Sequence, residues 1–310
     1  MTAEPITLTN GEFDRLYEKL KNWGRWGEND ELGTLNFVGE KEVAEAASLV
    51  KIGRHVGLGR ALDTVAGLDN SRPALHYMTS LGEAGEDGSS YNGDFVGVDF
   101  HGKSASHLDS LPHVAYKGLL YNGKPAKDVV GSKGSSFAPV SRLARGIVAR
   151  GVLLDAAQAR HVDWVEPPCA LDAADLESIA AALGVEVRRG DVVLVRTGQV
   201  WRRRVLGPWD PDLAQAGLAT SGLEWLAERE IAVLGGDGDS DARPSPVEGI
   251  GGPIHVLSIS ALGMCLLDNL DLESLSEACV GAGRFEFLLV IAPLIVPGGT
   301  GSPVNPIAVL

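Results

Sequence analysis

The chain is short of cysteine, aromatic residues and positive charge, and each shortage excludes something. Cys169, Cys265 and Cys279 are its three cysteines, widely spaced and without a CxxC pair. That leaves no disulfide framework and fits reduced thiols in a cytoplasmic protein. Cys265 and Cys279 sit in apolar stretches and read as inert core thiols. Aromatic residues make up only 6% of the 310. Lys and Arg number 27 against 41 Asp and Glu, a net charge of −14. So acidic a chain offers no basic face to nucleic acid or to an anionic membrane. No stretch approaches the ~18 uninterrupted apolar residues of a membrane helix. The opening MTAEPITLTNGEFDRLYEKL has neither the apolar core nor the cleavage pattern of a secretory signal. Several motifs are missing as well. No GxGxxG follows a strand, which removes support for dinucleotide binding, and there is no HExxH and no GxSxG.

What is present is a globular composition, 45% hydrophobic and 22% charged. At roughly 100–200 residues per domain the length suits one large domain or two small ones. No composition break or internal repeat divides it. We therefore expect a single domain over 1–310, with 1–50 as a helical N-terminal extension packed on it. Phe13, Leu16 and Leu20 predict a helix over 12–22, capped by Asn10. Residues 23–36 form a loop anchored by Trp23 and Trp26, and 40–50 a second helix. Further helices are expected at 171–183, between Asp172 and Gly184, and at 220–230 and 270–280. Strands are expected at 53–62, 95–101, 146–154, 190–198, 231–236 and 285–296, several of them apolar throughout and therefore buried on both faces. Strands alternating with helices predict an α/β fold. Residues 63–91, polar and Gly-rich, predict a long surface excursion of the kind that carries function.

The densest chemistry lies in HGKSASHLDSLPHV, residues 101–114, which holds His101, His107, Asp109 and His113. If the segment is extended, side-chain alternation puts His101, Lys103, His107 and Asp109 on one face. Imidazole and carboxylate are ligand types that suit Zn²⁺, Mn²⁺ or Fe²⁺. His113, after Pro112, could close the site from a turn. A lone histidine is more often a hydrogen-bonded core side chain than a ligand; three of them with an aspartate in thirteen positions favour a metal site. Downstream, His255 and Asp268 are the histidine and carboxylate that would complete such a site, although Asp268 equally suits the start of a helix. Asp237, Asp239, Asp241 and Glu248 mimic the spacing of a calcium loop, but Ala242 and Pro244 break the pattern and a strand, not a helix, precedes it. That loop is expected to be solvated or to lie beside the site. Trp23, Trp26, Tyr77 and Tyr91 could wall a flat substrate or simply anchor their loops.

Those residues carry a resemblance. SHLDSLPH (106–113) is similar to the H-x-G-T-H-x-D-x-P-x-H signature of the cyclase family of kynurenine formamidase-like metal-dependent hydrolases, which includes isatin hydrolase. WGRWGENDELGTLN (23–36), GVLLD (151–155), RRGDVVLVRTG (188–198), LLDNLDL (266–272) and APLIVPGGTGSPVNPIAV (292–309) extend it along most of the chain. The Trp-bearing N-terminal segment resembles the larger branch of the family. The resemblance implies a swivelling β/β/α fold, a mixed sheet or barrel-like core flanked by helices. It implies one or two Zn or Mn ions, a homodimer or homotetramer, and a small-molecule substrate. His107 and Asp109 would be ligands, His113 a ligand or the general acid/base, His255 the downstream metal or catalytic histidine, and Asp268 the counterpart of the family's Glu or Gln. Two departures stand out. The family's first histidine is replaced by Lys103, with His101 as its possible substitute, and the gap from His255 to Asp268 is one residue longer than usual. The activity implied is hydrolysis of an amide, imide or lactone carbonyl. A cyclase or dehydratase acting on a secondary-metabolite precursor is the alternative enzyme, and Lys103 leaves a metal-free binding protein as the reading from another class.

Overall fold

The computed structural model describes residues 8–310. Nine strands make one mixed sheet: β1 His55–Gly57, β2 His107–Asp109, β3 Ile147–Asp155, β4 Val192–Arg196, β5 Val233–Gly236, β6 Cys265–Asp268, β7 Glu286–Ile291, β8 Gly301–Pro303 and β9 Ile307–Val309. Their order across the sheet is β1-β9-β7-β3-β4-β5-β6-β2-β8. The centre, β3 to β6, is parallel, and both flanks are antiparallel. The sheet curls into a half-barrel flanked by helices, as the sequence led us to expect.

The central strands follow from their residues. Val192 to Val195 are β-branched or leucine and all buried, as parallel strands covered on both faces require. Their side chains alternate between two cores. Val192, Leu194, Val233 and Leu267 join one. Val193, Val195, Leu234 and Leu266 join the other, beneath helices α1 (Asn10–Leu20), α3 (Ala173–Leu183) and α5 (Thr220–Glu228). Each such side chain contributes about 1.5–3 kcal/mol, so the strand ends that carry the site rest on a stiff frame. α2 (Glu40–Ala47), α4 (Gln199–Leu206) and α6 (Glu273–Ala282) complete the flanking helices named here, with α3 capped by Asp172 and stopped at Gly184 as the sequence indicates.

Several expectations are corrected. The first helix is capped by Thr9, not Asn10: Thr9 Oγ1 accepts the Glu12 N–H and Glu12 accepts the Thr9 N–H, a capping box. Phe13, Tyr17 and Leu20 pin that helix into the second core. β7 ends at Ile291, because Pro293 has no N–H to continue the ladder. The excursion at 63–91 holds one arm of an antiparallel hairpin, Leu75–Leu81 with Asn92–Gly97, and nearly all of it is exposed. The strand expected at 95–101 therefore ends at Gly97, and residues 101–106 form turns, so only His107 and Asp109 share a strand face. No helix among the described residues is long and apolar enough to cross a membrane.

Candidate metal centre

β2 and β6 are antiparallel neighbours at the edge of the parallel core, with Asp268 opposite His107 and Leu266 opposite Asp109. Alternation along β2 sends His107 and Asp109 to one side, while Leu108 between them is fully buried in the core. Asp268 is the last residue of β6, and not part of a helix, which begins only at Glu273. Asn269 then turns the chain in the left-handed region, φ 56°, which Asn tolerates. His113 follows on a single helical turn, Leu111–His113. His255 ends the turn Pro253–His255, which runs on into a buried π-helix, Val256–Leu262.

The polar atoms of these residues converge. His107 Nε2 stands 3.6 Å from Asp109 Oδ1 and 3.9 Å from Asp268 Oδ2. His113 Nε2 stands 3.7 Å from Asp109 Oδ2, and His255 Nε2 lies 3.5 Å from the same oxygen and 3.2 Å from Asp268 Oδ2. His101 Nδ1 is 2.7 Å from Asp109 Oδ1, and its ring stacks on that of His113 at 3.7 Å. Two groups have their ligand atoms within 4.8 Å of one another: His101, Asp109, His113 and His107, Asp109, Asp268. Asp109 belongs to both.

Three observations fit a divalent ion. Most of these separations are too long for hydrogen bonds. They match instead donors that share one ion at about 2.0–2.2 Å. Asp109 Oδ2 and Asp268 Oδ1 are buried carboxylate oxygens with no hydrogen-bond partner, a costly arrangement unless a cation satisfies them. The imidazoles are also oriented from behind: His107 Nδ1 faces the Ala105 carbonyl at 3.2 Å, which turns Nε2 toward the cluster. Lys103 does not join either group. Its Nζ donates to Asp239 Oδ2 at 2.8 Å, so its charge is already matched.

His255 is held differently. Its Nδ1 meets Asp241 Oδ2 at 2.6 Å, while Asp241 Oδ1 accepts the Ile254 N–H at 2.7 Å. Burial works against charge on His255, but Asp268, Asp109 and Asp241 outweigh it and hold the imidazole protonated well above its usual range. His113 behaves in the opposite way. Burial, aided by the neighbouring imidazoles, brings it down to about 4, so it is neutral and free to ligate. Burial alone would raise Asp109, yet the surrounding histidines keep it ionised far below the ordinary carboxylate range. Asp268 is raised, chiefly by burial.

The cluster opens into a cavity of about 270 Å³, which Lys103, Arg72 and Arg243 also line. Trp23, Trp26, Tyr77 and Tyr91 are absent from its wall. Trp23 donates its indole N–H to the Ser260 carbonyl, Trp26 packs on Phe37, and Tyr77 stacks on Phe95 in the hairpin. The acidic loop 237–248 is no calcium site but a scaffold: Asp237 accepts the N–H groups of Thr197, Gly198 and Gln199, and Asp241 orients His255. Asp241 and Thr300, whose Oγ1 meets His101 Nε2 at 2.9 Å, were not singled out for these roles, because each acts only through another residue distant in the chain. The buried Cys265 and Cys279 take no part, and burial pushes both thiols up to about 12.

Comparison with known proteins agrees with this architecture. The Cyclase family model matches residues 52–240, more than half of the chain. A crystal structure described as a novel cyclase superposes with a TM-score of 0.85 at 27% identity, covering 95% of this chain and 99% of that one. Isatin hydrolase A from Ralstonia solanacearum is 23% identical with a TM-score of 0.56, covering 82% of this chain and 91% of its own. An isatin hydrolase bound to the product analogue thioisatinate is 20% identical with a TM-score of 0.58, covering 88% and 99%. At those identities the last two show a shared fold. No protein of curated function matches the sequence. The chain belongs to the cyclase family.

Proposed function

We propose that the protein is a metal-dependent hydrolase that opens or cleaves an amide, imide or lactone carbonyl of a small substrate. The observation that carries this is the pair of ligand groups sharing Asp109, with one buried oxygen of Asp109 and one of Asp268 left unsatisfied. His107, Asp109 and Asp268 would hold one Zn or Mn ion, and His101 and His113 would hold a second with Asp109. When bound, such an ion supplies Lewis acidity to a carbonyl and to a water molecule. The chain's own residues supply the rest. Asp109, kept ionised by the histidines around it, presents negative charge to the site. His255, outside both ligand groups, is kept protonated and aimed by Asp241, so its Nε2 can deliver a proton to the departing nitrogen or oxygen. His113 is the proton acceptor where only one ion binds, since its neutral ring has a lone pair to offer. Arylformamidase-like specificity is one form of this activity; the isatin hydrolases among its structural neighbours support including cyclic imides and lactams in the search.

The same reading takes 1–310 as one catalytic domain of a cytoplasmic homodimer or homotetramer. The exposed hairpin supports self-association, because Leu75, Tyr77, Leu81, Phe95 and Val96 lie open to solvent on a two-stranded ribbon that is marginal alone. The test of the function is elemental mass spectrometry of purified protein alongside His107→Ala, followed by a screen of formamides, cyclic imides and lactones. We expect about one or two Zn or Mn per chain, lost in the variant. Protein that takes up neither metal when each is added would overturn the reading.

A further inference from the structure

Next to the metal-ligand cavity is a recess of about 30 Å³, whose wall includes Arg60, Asp69, Lys103, Gln199, Arg203 and Gln215. Lys103 and Asn269 line both spaces. Most charges in the recess are already matched. Arg203 Nη2 donates to Asp69 at 3.2 Å and to Asp63 at 2.9 Å, and Lys103 is paired with Asp239. Asp237 is spent on the backbone of residues 197–199. Gln199 and Gln215 donate to the carbonyls of Ala216 and Asp241.

Arg60 is the exception. Among the described residues its guanidinium makes no hydrogen bond and no ion pair, and the residue's one hydrogen bond is from its backbone N–H to Ser106 Oγ, at 2.9 Å. Burial, with the like charge of Arg203 behind it, lowers its pKa. Its position is nonetheless fixed. Ser106 Oγ passes its own hydrogen to the Asn269 carbonyl at 2.6 Å. Ser106 precedes His107 and Asn269 follows Asp268, so the Arg60 backbone is tied to both ligand-bearing strands. Asp69, Asp63 and Asp271 lie near enough to offset part of the burial, but each is already bonded to Arg203 or Arg204. A half-buried guanidinium with no direct partner of its own is costly. It is also the group whose planar fork takes a carboxylate through two parallel hydrogen bonds.

We infer that the Arg60 recess binds an anionic head group, a carboxylate, on the substrate whose scissile carbonyl lies at the ligand cluster. The recess, about 30 Å³ beside the larger cavity, has room for a group as small as a carboxylate. The substrate class is then a small amide, imide or lactone that carries a carboxylate away from the reacting bond. The substrate half of this inference rests on the hydrolase reading; the anion site does not.

Isothermal titration tests it, using the monoamides of succinic, glutaric and adipic acids against the matching diamides. Both chelator-treated and Mn²⁺-loaded protein are titrated. At least one monoamide should bind about tenfold or more tighter than its diamide in both forms. That preference should vanish in Arg60→Gln and survive in part in Arg60→Lys, with melting temperatures confirming that the variants fold. Equal binding across all three pairs in the wild-type protein would overturn the inference whatever the variants do. So would a preference kept by Arg60→Gln, or one seen only with Mn²⁺ present, which would put the anion on the metal. A preference in the metal-free protein without hydrolysis by the loaded one would sink the hydrolase reading and keep the anion site. Hydrolysis without the preference would do the reverse.

Discussion

Asp109 carries more of the site than any other side chain. It is buried and belongs to both ligand groups, with histidines at 2.7 to 3.7 Å around it. Asp109→Asn keeps the shape and removes the charge, so each of the two proposed ions would lose a ligand at once. We expect activity to fall by at least about a hundredfold and metal content to drop below half an ion per chain, measured on the same preparation. Asp241 acts one step back, through His255. Asp241→Asn should leave metal content unchanged and cost about 10–100-fold in kcat, because the imidazole loses both its orienting partner and one source of its raised pKa. A loss of bound metal instead would mean that His255 is a ligand. At this scale the sequence was legible where residues are close in the chain. His107 and Asp109 share a face because strand side chains alternate. Nothing local to His101 announced Thr300 as its partner, or placed its ring on His113.

The element that sets the geometry is the β6-β2-β8 edge of the sheet. Gly301 in β8 lies opposite Asp109, and a Cβ there would come 2.5 Å from the Leu108 carbonyl and 2.9 Å from His101 Cε1. Gly301→Ala therefore has to push β8 off β2 or displace His101. It should destabilise the protein by about 1–3 kcal/mol and lower activity more than a comparable change remote from the site; calorimetry and kinetics together check this. An unchanged melting temperature would show that β8 yields freely. Helices α3 and α5 and strands β3, β4 and β5 were readable from their periodicity and from continuous apolar runs. The hairpin was read only in part, through the strand expected at 95–101; its first arm, Leu75–Leu81, faces solvent throughout and leaves no buried face to read. The wall of aromatic residues failed for a related reason. Trp23 and Trp26 gain more by packing on Tyr17 and Phe37 than by facing a wet cavity.

For the whole molecule, the frame behind the site includes a buried ionic network. Arg196, at the end of β4, bonds Asp155 at the end of β3 at 2.8 Å and Glu273 at the start of α6 at 2.6 Å. Ser276 closes the network onto Asp155. Arg196→Met leaves two carboxylates without their cation and should cost about 3–5 kcal/mol, seen as a lower denaturation midpoint. A bound metal would link the site back to global stability. Chelation should lower the melting temperature by several degrees and added Zn²⁺ or Mn²⁺ should restore it, since a ligand of the folded state alone adds about 4 kcal/mol at a thousandfold excess over Kd. A melting temperature indifferent to chelator would argue against a bound ion.

The sequence by itself determined the class of fold, the buried strands and the kinds of side chain gathered at the site, because these follow from local periodicity and from side-chain chemistry. It also carried the family signature, through His107, Asp109 and His113. Only the tertiary structure decided which charges are spent and which are free. Lys103, which stands in place of the family's first histidine, turns out to be paired with Asp239, while Arg60 nearby has no direct partner among the described residues. The acidic loop that mimicked a calcium site became the support for His255. Matching a charge requires its partner to be within a few ångströms, and those partners lie 14 to more than 130 residues apart in the chain, so no local pattern could have shown them.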